Sequence, residues 1–299
     1  MADTSRTMIV WKRRLPGLIM TMPAVIVFTA MFLVPTVLGF VLSLTNWNGF
    51  SLNLTFIGFE NYLRAFENPR SVDAAIFTTV FAVVTTVVCN LVGLALAVLI
   101  AGPGRANTVV RAVFFYPYII SALIIGFLWS AMLAPQGVFN SILANLGLPS
   151  IPFLTDPAFA QTSVIVTGIW AHYGFSMILY IAGLKSIPAE YYEAATVDGA
   201  GPWARFKNIT VPLLAPIVTV NIVLGLVTAL RVYDVVLALT AGGPAGSTET
   251  VVFQILKNSF DNGKLGYGAA QGVILLIVTA VLGIGVTLAR RNAEKKVAD

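Results

Sequence analysis

The sequence predicts an all-α polytopic membrane protein with six transmembrane helices. Three observations carry that prediction. Of the 299 residues, 58% are hydrophobic and only 10% are charged, whereas soluble domains carry roughly 25% charged residues. The apolar residues fall into six long runs, and a helix needs about 20 such residues to cross a bilayer core. The basic residues gather on alternate connections between those runs.

The runs cover residues 16–44, 73–101, 109–133, 161–184, 211–240 and 266–289. Valine and isoleucine abound in them, but they are too long for strands. In lipid the backbone must satisfy its own hydrogen bonds, and helices do that. The first run follows WKRRLPG, a basic flank like the start of a signal peptide. Its apolar stretch far exceeds the about 7–15 residues of a signal core, so an uncleaved span is expected. Pro23 and Pro35 are expected to bend it. Residues 1–15 form an N-terminal tail, 16–289 one transmembrane domain and 290–299 a C-terminal tail.

Direction follows from the bases. With the N-terminus inside, the two tails and the connections after the second and fourth runs are internal. They hold thirteen of the 18 Lys and Arg residues, against five outside: Arg64, Arg70, Arg231, Lys257 and Lys264. Both termini are therefore expected in the cytoplasm of a prokaryotic cell, with the chain in its inner membrane.

Composition also excludes. One cysteine, Cys89, permits no internal disulfide, and one histidine, His172, argues against a metal or catalytic cluster. Scattered bases argue against a nucleic-acid partner. The runs hold no nucleophile–base set, which leaves Asp234 beside Arg231 as the nearest approach to an intramembrane enzyme site.

The longest internal connection, residues 185–210, is dense in charge: EYYEAATVDGAGPWARFKNITVP begins at Glu190. Ser186 can cap a helix whose first turn takes Pro188. Glu190 and Glu193 suit its positive end. Gly199 and the Gly-Pro pair at 201–202 end it. WARFKNI forms a second short turn, and Pro212 opens span five. Ala194 and Ala195 leave a low-relief patch beside Tyr191 and Tyr192. An amphipathic helix on the headgroups is one reading. Such helices usually carry bases, and the acids Glu190, Glu193 and Asp198 would be repelled by anionic lipid. A basic protein groove is the better partner.

Here the chain resembles a family. Glu193-Ala194-Ala195, three residues, Gly199, nine residues, Ile209, one residue and Pro212 match the EAA signature of ABC importer permeases, with Val211 where leucine is usual. TNWNGF, FIGFENYLRAFENP, FFYPYIISALIIGFLWSAML and YDVVLALTAGGPAGSTET resemble the MalF/UgpA-type permeases of carbohydrate importers. The resemblance implies the type I ABC importer permease fold, with residues 185–210 as a coupling loop seated in an ATPase cleft. It implies a second, similar permease subunit in a heterodimer, two ATPase subunits and an extracytoplasmic solute-binding protein. No phosphate-binding loop motif is present, so ATP and Mg are expected at the partner ATPases and no cofactor on this chain.

Polar groups at membrane depth tend to face cavities. His172, mid-span in WAHYGFSM, either bonds a neighbouring helix or lines a cavity beside Tyr173 and Phe175, and the resemblance favours the cavity. Span five offers Thr228, Arg231, Tyr233 and Asp234; Arg231 and Asp234 stand three apart, either paired on one helix face or lining the outer mouth. Asn221 lies nearer the cytoplasmic half and can simply join helices. Gly268 and Gly272 have the spacing of close helix packing. The turn GGPAGSTE, 242–249, lies outside the membrane. The expected solute is a mono-, di- or oligosaccharide. Glycerol phosphate or another polyol is the alternative within the class, and an ion-driven carrier the alternative outside it.

Overall fold

A computed structural model describes residues 20–51 and 54–298; the N-terminal tail and residues 16–19 of the first run lie outside the described residues. Within them the chain is helical, and the only strand-like pairing is an isolated bridge between Thr45 and Phe56. Five helices are long and apolar enough to cross a membrane: Met20–Ser43, Pro69–Ile100, Ala122–Asn145 (a helix pair), Pro157–Ser186 and Leu265–Arg290. A sixth span comes from the pair Pro202–Leu213 and Ala215–Leu230, bent by 62° at Leu214.

The spans begin and end where the chain offers caps. Asn68 accepts a hydrogen bond from the Arg70 amide (3.0 Å), and Pro69 takes the first turn of span two. Asp156 accepts from the amides of Ala158 (2.9 Å) and Phe159 (3.2 Å) ahead of Pro157, opening span four. A side-chain acceptor followed by proline at the first helical position is a strong start signal. At the far end of span two, the Arg111 guanidinium donates to the carbonyls of Ile100 (2.9 Å) and Gly102 (2.6 Å). A cation there also complements the helix dipole.

Spans two and four form the centre of the bundle and pack along more of their length than any other pair. Small residues permit that approach. A Cβ on Gly93 would lie 2.7 Å from Ser176 Cβ and 2.8 Å from the Met177 amide nitrogen. Gly168 lies against the ring of Phe81. Around this seam Phe77, Phe81, Val164, Leu230 and Val236 make one buried apolar cluster; Ala97, Met177, Tyr180 and Ile181 make another nearer the coupling loop. The first span is peripheral, with Val34–Ser43 packed on span six. Its turn before Pro35 widens to a π-helix at Thr29–Leu33, an adjustment that frees backbone groups near a proline.

Four expectations need correction. Run 109–133 is not one helix: Arg105–Ile119 ends at extended Ile120 and Ser121, and Ala122–Leu133 starts afresh. Pro117 stands in the last turn and lacks the amide that would continue the ladder. Run 211–240 breaks at Arg231–Tyr233 before Asp234–Thr240. The Val232 carbonyl freed there accepts from the Thr250 hydroxyl (2.8 Å), so a distant residue supports the interruption. Arg231 and Asp234 thus flank a break rather than share a helix face, and no ion pair joins them. Ser186 does not cap the next helix: its hydroxyl donates to the Gly183 carbonyl (2.7 Å) within span four. Gly268 does sit tightly against Ser259 and the Ile255 carbonyl, but Gly272 has nothing within 4 Å of an added Cβ.

The 242–249 turn is held from below. Glu249 is buried, and its carboxylate accepts from Lys257 (2.6 Å) and Gln254 (2.8 Å). Gln254 in turn donates to the Arg70 carbonyl (3.0 Å), which ties the turn to the start of span two.

Candidate functional site

Two regions hold the residues singled out in the sequence. The first is the connection after span four. Ala189–Val197 is a helix whose N-cap is Pro188, with Glu190 in its first turn. Asp198 closes it and Gly199 follows at φ +74°. There the Gly199 amide donates to the Thr196 carbonyl (3.1 Å) and the Ala200 amide to the Ala195 carbonyl (2.8 Å). This left-handed turn is one that glycine adopts without strain.

The helix is fixed to the arm that follows. The hydroxyls of Tyr192 and Thr210 bond at 2.9 Å, and the Arg205 guanidinium donates to the Thr196 hydroxyl (3.0 Å). Glu190, Glu193, Ala194, Asp198 and Gly199 are exposed, and Ala195 is half-buried. Val197 is 88% exposed and Tyr191 53%. None of the three acids takes part in an ion pair among the described residues. The outcome is an acidic surface with apolar knobs and no partner of its own.

The second region is a cavity of about 350 Å³ between spans two, four and five. It brings together His172, Phe175, Thr228, Arg231, Tyr233 and Asp234. Tyr173 is not in its wall; its ring meets Phe114 edge-on at 6.2 Å. Helical geometry explains the split. His172 and Phe175 are three residues apart and share a face, while Tyr173 points roughly 100° away.

The breaks described above shape this cavity. Interruption after Ile119 brings Tyr118 and Ala122 to its wall, and the Tyr118 ring stacks on Phe175 at 4.9 Å and 24°. Interruption after Leu230 delivers Arg231, Tyr233 and Asp234. The His172 Nδ1–H donates to the Gly168 carbonyl (2.9 Å), which leaves Nε2 as the acceptor. At one end Tyr180 donates to Asn90 Oδ1 (2.6 Å) and Ser176 to Asn221 Oδ1 (3.1 Å). The wall therefore offers an aromatic platform, hydroxyls, amides and one charge of each sign.

Sequence reasoning missed Thr85, Thr86, Asn90, Tyr118 and Ser176, all in the cavity wall. Thr85 and Thr86 sit in an apolar run without a polar neighbour to mark a face. Asn90 was the available signal, as an amide at membrane depth. No group of His, Cys, Asp and Glu fit to hold a metal occurs among the described residues.

A helical bundle spanning the membrane around a polar internal cavity is the architecture of a solute permease. More narrowly, the chain belongs to the binding-protein-dependent transport system inner membrane component family, whose model matches residues 93–299. It is 33% identical over 262 residues to a probable starch degradation products transport system permease protein, AmyD, of Thermoanaerobacterium thermosulfurigenes, covering 88% of this chain and 89% of that one. It is 32% identical over 263 residues to the trehalose/maltose transport system permease protein MalF of Thermococcus litoralis, with the same coverage of 88% and 89%. Among solved structures it superposes at a TM-score of 0.83 on a chain of a bacterial ABC transporter involved in import of the acidic polysaccharide alginate, at 24% identity over 96% of this chain and 99% of that one. The fold is thus the ABC importer permease fold expected from the sequence.

Proposed function

We propose that this chain is the permease subunit of an ATP-driven importer of a neutral sugar, working by alternating access. The carrying observation is the cavity wall. A pyranose presents a C–H face that stacks on aromatic rings and hydroxyls that need partners. The Tyr118–Phe175 stack beside Thr85, Thr86, Asn90, Thr228 and His172 supplies both. The named transport roles of the relatives, starch degradation products and trehalose or maltose, support the same class. Glycerol phosphate would favour several bases, and Arg231 is the only Lys or Arg in the wall, offset by Asp234.

In this reading the acidic helix Ala189–Val197 seats in a basic cleft of one of two ATPase subunits, which carry ATP and Mg. A second, related permease subunit completes the pathway. A solute-binding protein docks on the face that carries the 242–249 turn, and both termini lie in the cytoplasm. Docking opens the outer mouth, and ATP closes the ATPases and drives the coupling helices. Hydrolysis then resets the assembly.

Proteoliposome uptake of maltose and trehalose tests this. Uptake is expected only when the ATPase subunits and internal ATP are present. Uptake driven by a proton or sodium gradient in their absence would replace the proposal with an ion-driven carrier. Within the same assay the two neighbouring aromatics separate. Phe175→Ala removes half of the stack and is expected to weaken sugar-stimulated ATPase activity about three- to tenfold, the worth of an aromatic pair. Tyr173→Phe keeps the ring against Phe114 and is expected to leave that activity unchanged. Equal loss in both variants would move the sugar site away from this wall.

A further inference from the structure

Helical threonines in this chain follow a rule. Thr78, Thr79, Thr162, Thr279 and Thr287 each donate their hydroxyl hydrogen to the carbonyl four residues back. This local bond is what lets a hydroxyl sit in an apolar helix. Thr85 and Thr86, on the same span as the first two, break the rule. Both are buried, at 4% and 6% exposure. Neither hydroxyl oxygen has a hydrogen-bond partner among the described residues. Both line the cavity.

A buried hydroxyl without a partner has lost its water bonds and replaced them with nothing. A different χ1 well would bring each Thr oxygen back towards its own helix. Span two forgoes that relief at two successive positions, and both face one cavity. Asn90, one turn on, is already engaged: Oδ1 accepts from Tyr180 and Nδ2 donates to the Thr86 carbonyl (2.8 Å). From span five, Gly225 keeps the space clear; a Cβ there would stand 3.3 Å from Thr86 Cγ2 and 3.5 Å from its Oγ1.

We propose that Thr85 and Thr86 are the specificity-determining contacts of this permease, a hydroxyl pair held open for a solute that both donates and accepts hydrogen bonds. A hydroxyl acts in both senses. It suits a neutral polyol or sugar, whereas a carboxylate or phosphate only accepts and an ammonium only donates. The inference rests on the cavity being the solute site proposed above.

The test is thermal melting of the purified assembly in detergent, with and without maltose or trehalose. Thr85→Val/Thr86→Val keeps the shape and removes both unpaired hydroxyls. Without sugar, its midpoint is expected to rise by roughly 2–4 °C, because an unsatisfied buried group is gone. The sugar-induced upshift of the native assembly, a binding readout, is expected to need about tenfold more sugar, the discrimination of a lost hydroxyl contact. Thr85→Ser/Thr86→Ser is expected to keep the native sugar response.

A fall in the sugar-free midpoint would show that the hydroxyls bond another subunit, and would overturn the proposal. An unchanged sugar response in the Val variant would do the same. If neither sugar shifts the native assembly, the sugar assignment of the cavity fails. The sugar-free midpoint still decides the hydroxyl claim by itself.

Discussion

Replacing Gly199 by proline is expected to reduce sugar uptake to background while the protein still inserts in the membrane. Gly199 sits at φ +74°, and proline is confined near −65°. The Gly199 amide also donates to the Thr196 carbonyl, a bond that proline cannot make. Together these changes cost about 3 kcal/mol or more locally. They redirect the chain where the acidic helix turns into the arm Pro202–Leu213. Spans two and four lie elsewhere, so folding in the membrane is retained. Glu193→Lys attacks the same step by charge. Glu193 is exposed and outside any ion pair among the described residues, so its reversal leaves the fold intact and repels a basic cleft. Membrane-fraction blotting together with uptake separates the two effects. Normal transport in both variants removes this loop from the coupling path.

Gly93→Leu is expected to produce the largest loss of stability. Even a Cβ at this position would come within 3 Å of Ser176 and of the Met177 backbone. Backbone cannot yield as a flexible side chain can, so the central pair of spans must separate. Overpacking of this kind typically costs about 1–3 kcal/mol, and here it falls on the contact that positions the cavity. The detergent melting midpoint is expected to drop by several degrees and uptake to fail. Gly272→Leu is the control, because nothing lies within 4 Å of its added Cβ. A native-like midpoint for Gly93→Leu would mean that spans two and four do not meet as described.

The sequence revealed what is locally dense. Six spans in order, and a helix between the fourth and fifth, were legible because charge and apolarity separate cleanly along the chain. Gly199 as a helix stop followed from glycine's tolerance of positive φ. What stayed hidden was decided at a distance. The break at Arg231–Tyr233 has no proline or glycine to mark it, and its support comes from Thr250. The gap after Ile119 was foreshadowed by Pro117, but an apolar run of full length outweighed it. Tyr173 and Phe175 look alike in sequence and lie on different faces. Thr85 and Thr86 read as ordinary members of a membrane helix, since the absence of a hydrogen bond is not written in composition.

The elbow at Leu214 has a mechanical meaning. Pro202–Leu213 leaves Ala215–Leu230 at 62°, and its inner end is tied to the acidic helix by the Tyr192–Thr210 bond. Twelve residues at 1.5 Å each make a crank about 18 Å long. A push of about 3 Å at its tip turns the base through roughly 10°. Because the shaft it turns also carries Gly225 and Thr228, a small stroke on one side of the membrane becomes a twist of the solute's own chamber.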